Sequence, residues 1–275
     1  MANTVATFRA AKGVSRLSML TAYDYTMARL VDEAGINCIL VGDSLGMVML
    51  GHDSTLKVTM EDMIHHCAAV ARGAKNALIL CDMPFMSSQN GIENTVRNAG
   101  RLVQKGGAQA VKMEGGQEFC GEIKAMVRAS IPVMAHLGLT PQSVNAFGGY
   151  KVQGKTRAAA QKLLDDARAV QDAGAFAVLL ECVPVMIAKK ITETLEVPTI
   201  GIGAGPHCDG QVLVWQDMLG LAGRAPKFVR QFGGVADEIK KALATYREEV
   251  EHGSFPTRDH CYKIEGEEEL LDKLY

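Results

Sequence analysis

No apolar run in this chain approaches the length needed to span a bilayer, and its first residues lack the apolar core of a signal peptide, so a cytoplasmic protein with no membrane partner is expected. An excess of charge is missing too. Twenty-nine basic against 31 acidic residues leave a net charge of -2, which provides no electrostatic footprint for nucleic acid. The seven cysteines (38, 67, 81, 120, 182, 208 and 261) form no CxxC pair and no regular spacing. That suits reduced thiols better than a disulfide framework or a zinc site. A dinucleotide fingerprint is also absent: Gly201-Ile202-Gly203-Ala204-Gly205 has the wrong spacing and comes too late. It reads as a tight turn that lets backbone approach a site. No internal stretch is rich enough in proline, glycine or charge to divide the 275 residues. A single domain over 1–275 is therefore expected, with a short acidic tail from about residue 260.

What is present is an alternation of strand and helix patterns, within a composition of 48% apolar and 22% charged residues that suits an ordinary globular core. Strands are expected at Leu17–Thr21, Cys38–Gly42, Ala77–Asp82, Ala110–Glu114, Pro132–His136, Phe176–Glu181 and Val197–Ile202, with an eighth near Gln211–Trp215. Between them, Thr59 and Asp62 form a box-like helix start ahead of an apolar stripe through Met60, Met63, Ile64, Cys67, Ala68 and Ala71. Thr156 opens a second helix that turns Leu163, Leu164, Ala167 and Val170 inward, and Gly174 stands where a helix-ending glycine belongs. Val183–Leu195 is helix-like. Continuous apolar strands are buried on both faces, which implies a parallel sheet covered by helices. About eight repeats favour a closed (βα)8 barrel over an open doubly wound sheet.

Four of these strands end on an acid: Asp43, Asp82, Glu114 and Glu181. In such barrels the site is built at the C-terminal strand ends. Four carboxylates meeting there would suit a hard cation such as magnesium, and a base. Each acid alone could equally cap the following helix, but glutamate is not a favoured cap and two of the four are glutamate. His136 ends a strand at the same rim. Lys112 and Glu114 are two residues apart and so share a strand face. His65 and His66 point about 100° apart on a helix, which argues for surface or packing roles. Cys182, next to Glu181, is expected to face away from the site and pack.

Longer motifs carry a resemblance. Thr21-Ala22-Tyr23-Asp24, Val41-Gly42-Asp43-Ser44-Leu45-Gly46, Gly51-His52-Asp53-Ser54-Thr55 and Asp82-Met83-Pro84-Phe85-Met86 resemble the ketopantoate hydroxymethyltransferase family. So do Val111-Lys112-Met113-Glu114-Gly115-Gly116, His136 through Ser143, Phe147 through Gly154, Leu180 through Pro184 and Gly201 through Gly205. The similarity runs from about Thr21 to about Phe228. Lys57, in place of an expected proline, departs from the pattern only in flanking chain.

The resemblance implies a magnesium-dependent TIM barrel of the phosphoenolpyruvate/pyruvate superfamily, usually a homodecamer, acting in pantothenate synthesis. It implies transfer of a hydroxymethyl group from 5,10-methylenetetrahydrofolate to 3-methyl-2-oxobutanoate. By the family's pattern Asp43, Asp82 and Glu114 hold the metal, directly or through water. Asp43, Ser44, Asp82, Lys112 and His136 surround the keto acid, and Glu181 accepts the proton. Two rivals remain at this point. One is another magnesium-dependent lyase or mutase on the same barrel, against which the Gly148-Gly149-Tyr150-Lys151 motif and the lack of a cysteine loop count. The other is a non-catalytic barrel, which would tolerate loss of site residues; none of the expected set is missing.

Overall fold

The strands that read as apolar runs close on one another. The computed structural model describes residues 2–223, 225–272 and 274. Its eight parallel strands are β1 Leu17–Thr21, β2 Cys38–Val41, β3 Leu78–Asp82, β4 Ala110–Glu114, β5 Val133–Gly138, β6 Ala177–Glu181, β7 Thr199–Ile202 and β8 Gly210–Leu213, paired in chain order. β8 returns to β1 in register from Leu17↔Gly210 to Leu20↔Leu213, which completes the barrel. A side chain at Gly210 would meet Leu17 O at 2.5 Å, so the closing strand can begin there only with glycine.

Strand periodicity then decides what fills the interior. Met19, Cys38, Leu40, Leu78, Leu80, Ala110, Met134, Ala177, Leu179, Ile200 and Val212 form one apolar cluster inside the barrel. A larger cluster joins the outward strand residues to the helices. The lower end is plugged by Phe8 from the helix Val5–Ala10, which meets Phe176 edge-on with ring centroids 5.8 Å apart. Asp209 ties that end down, accepting from Lys12 Nζ and Thr199 N, each at 2.8 Å.

The expected helices are present. Thr59 caps Met60–Gly73 in a full capping box with Asp62, and Met63, Cys67 and Val70 are buried. Thr156 caps Arg157–Asp172 by accepting from Ala159 N, and Leu163, Ala167 and Val170 are buried, with Leu164 at the edge. Gly174 takes φ 104°. Val185–Thr194 starts two residues later than its sequence pattern suggests, because Pro184 supplies the extended cap.

The last strand corrects its expectation. β8 begins at Gly210 and stops at Leu213, and Trp215 opens a four-residue helix, Trp215–Met218. Trp215 N donates to Thr21 Oγ1 at 2.9 Å, which folds the chain over the top of β1 instead of extending it. Beyond it lies a seventeen-residue helix, Val235–Glu251, that buries none of its residues. Its Ile239, Leu243, Tyr246 and Val250 recur at helical spacing and all stay exposed. The acidic tail holds a short helix, Glu267–Leu271, with Leu270 and Leu271 both exposed. No helix among the described residues is long and apolar enough to cross a membrane.

Candidate active site

The same alternation that packs the barrel delivers the polar groups to its mouth. Along β3 the inward series is Leu78, Leu80, Asp82; along β4 it is Ala110, Lys112, Glu114; along β6 it is Ala177, Leu179, Glu181. Met134 and His136 continue the pattern on β5. Pairing sets Asp82 beside Lys112 and Glu114 beside His136. Asp43 and Ser44 arrive differently, from the turn after β2. There a Cβ on Gly42 would meet Ser44 Oγ at 2.7 Å, so glycine lets the Ser44 hydroxyl keep its place. All seven expected residues (Asp43, Ser44, Asp82, Lys112, Glu114, His136 and Glu181) line one cavity of about 670 Å³.

Their contacts form a connected network. Lys112 Nζ lies 2.9 Å from Asp82 Oδ1 and 3.2 Å from His136 Nδ1. Asp82 Oδ2 accepts from Asp43 N at 3.0 Å. His136 Nε2 is 3.3 Å from Glu181 Oε2, close but without hydrogen-bond alignment. Ser44 Oγ is 2.9 Å from the hydroxyl of Tyr23, which is fully buried.

Too many negative charges share this volume, and the proton affinities record it. Burial, and then the neighbouring Asp82, raise the Asp43 carboxyl to about 7 against the pull of Lys112. Burial and the charge of Asp43 push Glu114 well above its ordinary value. Burial raises Glu181 to about 7, with Lys112 opposing. Burial also works against the Lys112 ammonium, but Asp82, Asp43 and Glu114 outweigh it and hold the proton on. His136 goes the other way: burial and the adjacent Lys112 keep its imidazole neutral. With the ammonium donating to Nδ1, the ring proton belongs on Nε2, facing Glu181.

Among the described residues no three His, Cys, Asp or Glu side chains converge as a ready-made metal centre. The donor chemistry nonetheless fits a hard divalent cation. Asp43, Asp82 and Glu114 supply carboxylate oxygens, and burial and mutual repulsion raise the proton affinity of Asp43 and Glu114 in a way that a bound cation would relieve.

Gln142 is a site residue that strand patterns do not reveal. Its Nε2 donates to Asp43 Oδ2 at 2.8 Å and to Met83 O at 2.9 Å, and its backbone N–H donates to Glu114 Oε2 at 3.0 Å. One residue therefore spaces two of the carboxylates. Cys182 corrects its expectation: at φ 49° it leaves strand geometry and lines the cavity. Its thiol is raised to about 11, chiefly by burial, so it is no nucleophile near neutral pH. His65 is exposed, and His66 Nδ1 bonds Tyr23 O at 2.7 Å, in keeping with a packing role.

Comparison with known proteins bears on this geometry directly. A sequence profile described as ketopantoate hydroxymethyltransferase matches residues 2–258. The chain belongs to that family. The match extends past both limits of the motif resemblance. Over the full length of both chains it is 58% identical to 3-methyl-2-oxobutanoate hydroxymethyltransferase of Clostridium novyi (strain NT) and 59% identical to that of Enterococcus faecalis (strain ATCC 700802 / V583). Among solved structures it resembles phosphoenolpyruvate phosphomutase from Streptomyces platensis subsp. rosaceus, with TM-score 0.62, 16% identity, and 98% and 94% of the two chains covered. A 2,3-dimethylmalate lyase of the PEP mutase/isocitrate lyase superfamily gives TM-score 0.58 at 16% identity, over 99% and 94%. At that identity the likeness is one of fold, and it is the barrel expected for the family.

Proposed function

We propose that this enzyme transfers a hydroxymethyl group from 5,10-methylenetetrahydrofolate to 3-methyl-2-oxobutanoate, giving 2-dehydropantoate for pantothenate biosynthesis, with magnesium as its cofactor. The observation that carries the mechanism is a largely buried carboxylate, Glu181, tuned to about 7 in the same cavity as an ammonium and the acids Asp43, Asp82 and Glu114. The proton to be removed sits on the tertiary carbon beside the ketone and is only weakly acidic. A base poised near neutrality is the group that chemistry needs.

The chain's own residues divide the work. Asp43, Asp82 and Glu114 hold the cation, directly or through water, with Gln142 fixing the spacing of Asp43 and Glu114. A divalent cation held by these residues would supply positive charge to offset the negative charge that develops on the keto oxygen. Lys112 adds a fixed positive charge for the carboxylate or the enolate oxygen. Ser44, oriented by Tyr23, donates a hydrogen bond to the substrate. Glu181 takes the proton, and the C–H electron pair becomes the enolate double bond. The nucleophilic carbon then forms its bond to the one-carbon unit, whose two bonds to the folate nitrogens break as water supplies the hydroxyl oxygen and tetrahydrofolate leaves. Neutral His136, its Nε2 unpaired and 3.3 Å from Glu181, is free to donate a hydrogen bond to the substrate.

The whole chain is proposed to act as one barrel unit in the cytoplasm, assembled as a homodecamer. The exposed apolar stripe on Val235–Glu251 supports self-association, and the number ten rests on family resemblance alone. The test of function is loss of deuterium from the tertiary carbon of 3-methyl-2-oxobutanoate, measured with and without folate and with and without magnesium. A protein that neither exchanges that position nor forms the hydroxymethyl product is not this enzyme.

A further inference from the structure

The ionisable groups that would bind the keto acid are gathered on one side of the cavity. The four acids, Lys112 and His136 described above come from β2 to β6. The ends of β7 and β8 face it with Ile202, Val212, Leu213 and Val214, an apolar wall. Phe228 closes over this half from the chain that follows β8. Its ring rests on Gly203, where an added Cβ would come within 2.9 Å of it. A five-carbon keto acid fills a small part of about 670 Å³, a volume that suits a drug-sized ligand. The charged half accounts for the acid, so most of the apolar half is left for something larger, flat and mostly uncharged.

One acid lies in the wall of that half. Asp217, on the short helix Trp215–Met218, lines the cavity half-buried, and its carboxylate has no hydrogen-bond or ion-pair partner among the described residues. Its place is central. The buried Tyr23 hydroxyl is raised by burial, with the charges of both Asp82 and Asp217 adding to it, and that hydroxyl holds Ser44. At the outer rim the cavity wall carries two exposed lysines, Lys151 and Lys227.

We propose that the apolar half is the seat of the folate co-substrate, with the pterin ring between Val212–Val214 and Phe228, its donor edge on Asp217, and its anionic glutamate end at Lys151 and Lys227. This rests on the reading of the chain as a folate-dependent transferase. The amino-pyrimidinone edge of a pterin presents two N–H donors side by side, which a carboxylate accepts as a pair. The ring system stacks on an aromatic face, and the glutamate carboxylates need cations in solvent, not in the barrel. Seated this way, the one-carbon unit faces the charged half, where the nucleophilic carbon forms.

The experiment titrates 5-formyltetrahydrofolate, a stable reduced folate, into the full-length protein and follows quenching of Trp215, the chain's one tryptophan, two residues from Asp217. Asp217→Ala should weaken binding about tenfold to a hundredfold, the effect of losing hydrogen bonds to a charged group. Asp217→Asn should lose less, and Phe228→Ala should weaken binding through lost stacking. In turnover the same variants should raise KM for methylenetetrahydrofolate and not KM for the keto acid. Wild-type affinity in Asp217→Ala, or a rise confined to the KM of the keto acid, would overturn the assignment. Failure of the wild-type protein to exchange the tertiary proton of the keto acid would instead remove the transferase reading, and the titration would still decide whether this half binds a pterin.

Discussion

Replacing Glu181 with glutamine keeps the size and hydrogen-bonding shape of the side chain and removes only its capacity to take a proton. Asp43, Ser44, Asp82, Lys112 and Glu114 remain, so metal and keto acid should still bind. Enolate formation should fall by roughly two to four orders of magnitude, the usual worth of a positioned general base. The structure adds a pH signature. Glu181 acts only when ionised, and burial holds it at about 7. Exchange by the wild-type protein should therefore fall about tenfold per unit as pH drops below 7, and level off above it. The residual exchange of Glu181→Gln should lack that limb. The assay is proton NMR of 3-methyl-2-oxobutanoate in deuterated water without folate, so that no later step masks proton transfer. Near-normal exchange in the variant, with normal binding, would refute the assignment; His136, 3.3 Å from Glu181, would be the next base to test.

Chelation should abolish exchange and turnover, and magnesium should restore both while raising the melting temperature; full activity in metal-stripped protein would remove the cation from the mechanism. Asp82→Ala should lose metal-supported activity yet fold, as judged by circular dichroism, because Asp82 sits above the apolar layers. Asp43→Asn should melt higher than the wild-type protein in chelator at pH 8. The folded-state pKa of Asp43, about 7, lies above its ordinary 3.8, so ionisation as pH rises between the two costs the folded wild-type protein stability that asparagine does not lose. The advantage should shrink toward pH 5, and an advantage independent of pH would count against the buried-charge account. Light scattering at micromolar protein should show a large assembly; a monomer would leave the stripe on Val235–Glu251 without its partner.

Much of the barrel was legible because its strands are buried on both faces and so read as unbroken apolar runs. Their acidic ends stood out because nothing apolar explains a carboxylate there. Period-two spacing carried Asp82, Lys112, Glu114 and Glu181 to the mouth, since each lies on a regular strand. The rule fails where the backbone leaves strand geometry. Gly138, at φ 94°, lets Leu139 N pair with Glu181 O and resets the direction of the chain ahead of Gln142. Cys182, at φ 49°, turns into the cavity where alternation would turn it away. β8 was blurred because its end is set by a distant acceptor, Thr21 Oγ1, and not by its own residues. The period of Ile239, Leu243, Tyr246 and Val250 is present in the sequence, but no element of the barrel repeat supplies the surface that would cover it.

Height along the barrel axis also orders the ways this protein can fail. On β3, three side chains share one face and one direction, with Leu78 deepest, Leu80 above it and Asp82 at the rim. A truncation at Leu78 opens a cavity beneath every layer resting on it and should cost the cell protein. A change at Asp82 should leave protein abundant and idle. The same gradient runs along β4 from Ala110 to Glu114 and along β6 from Ala177 to Glu181. A mutational survey that scores abundance and turnover separately should therefore sort these positions by depth, with neighbours in sequence parting company and residues far apart in the chain falling into the same class.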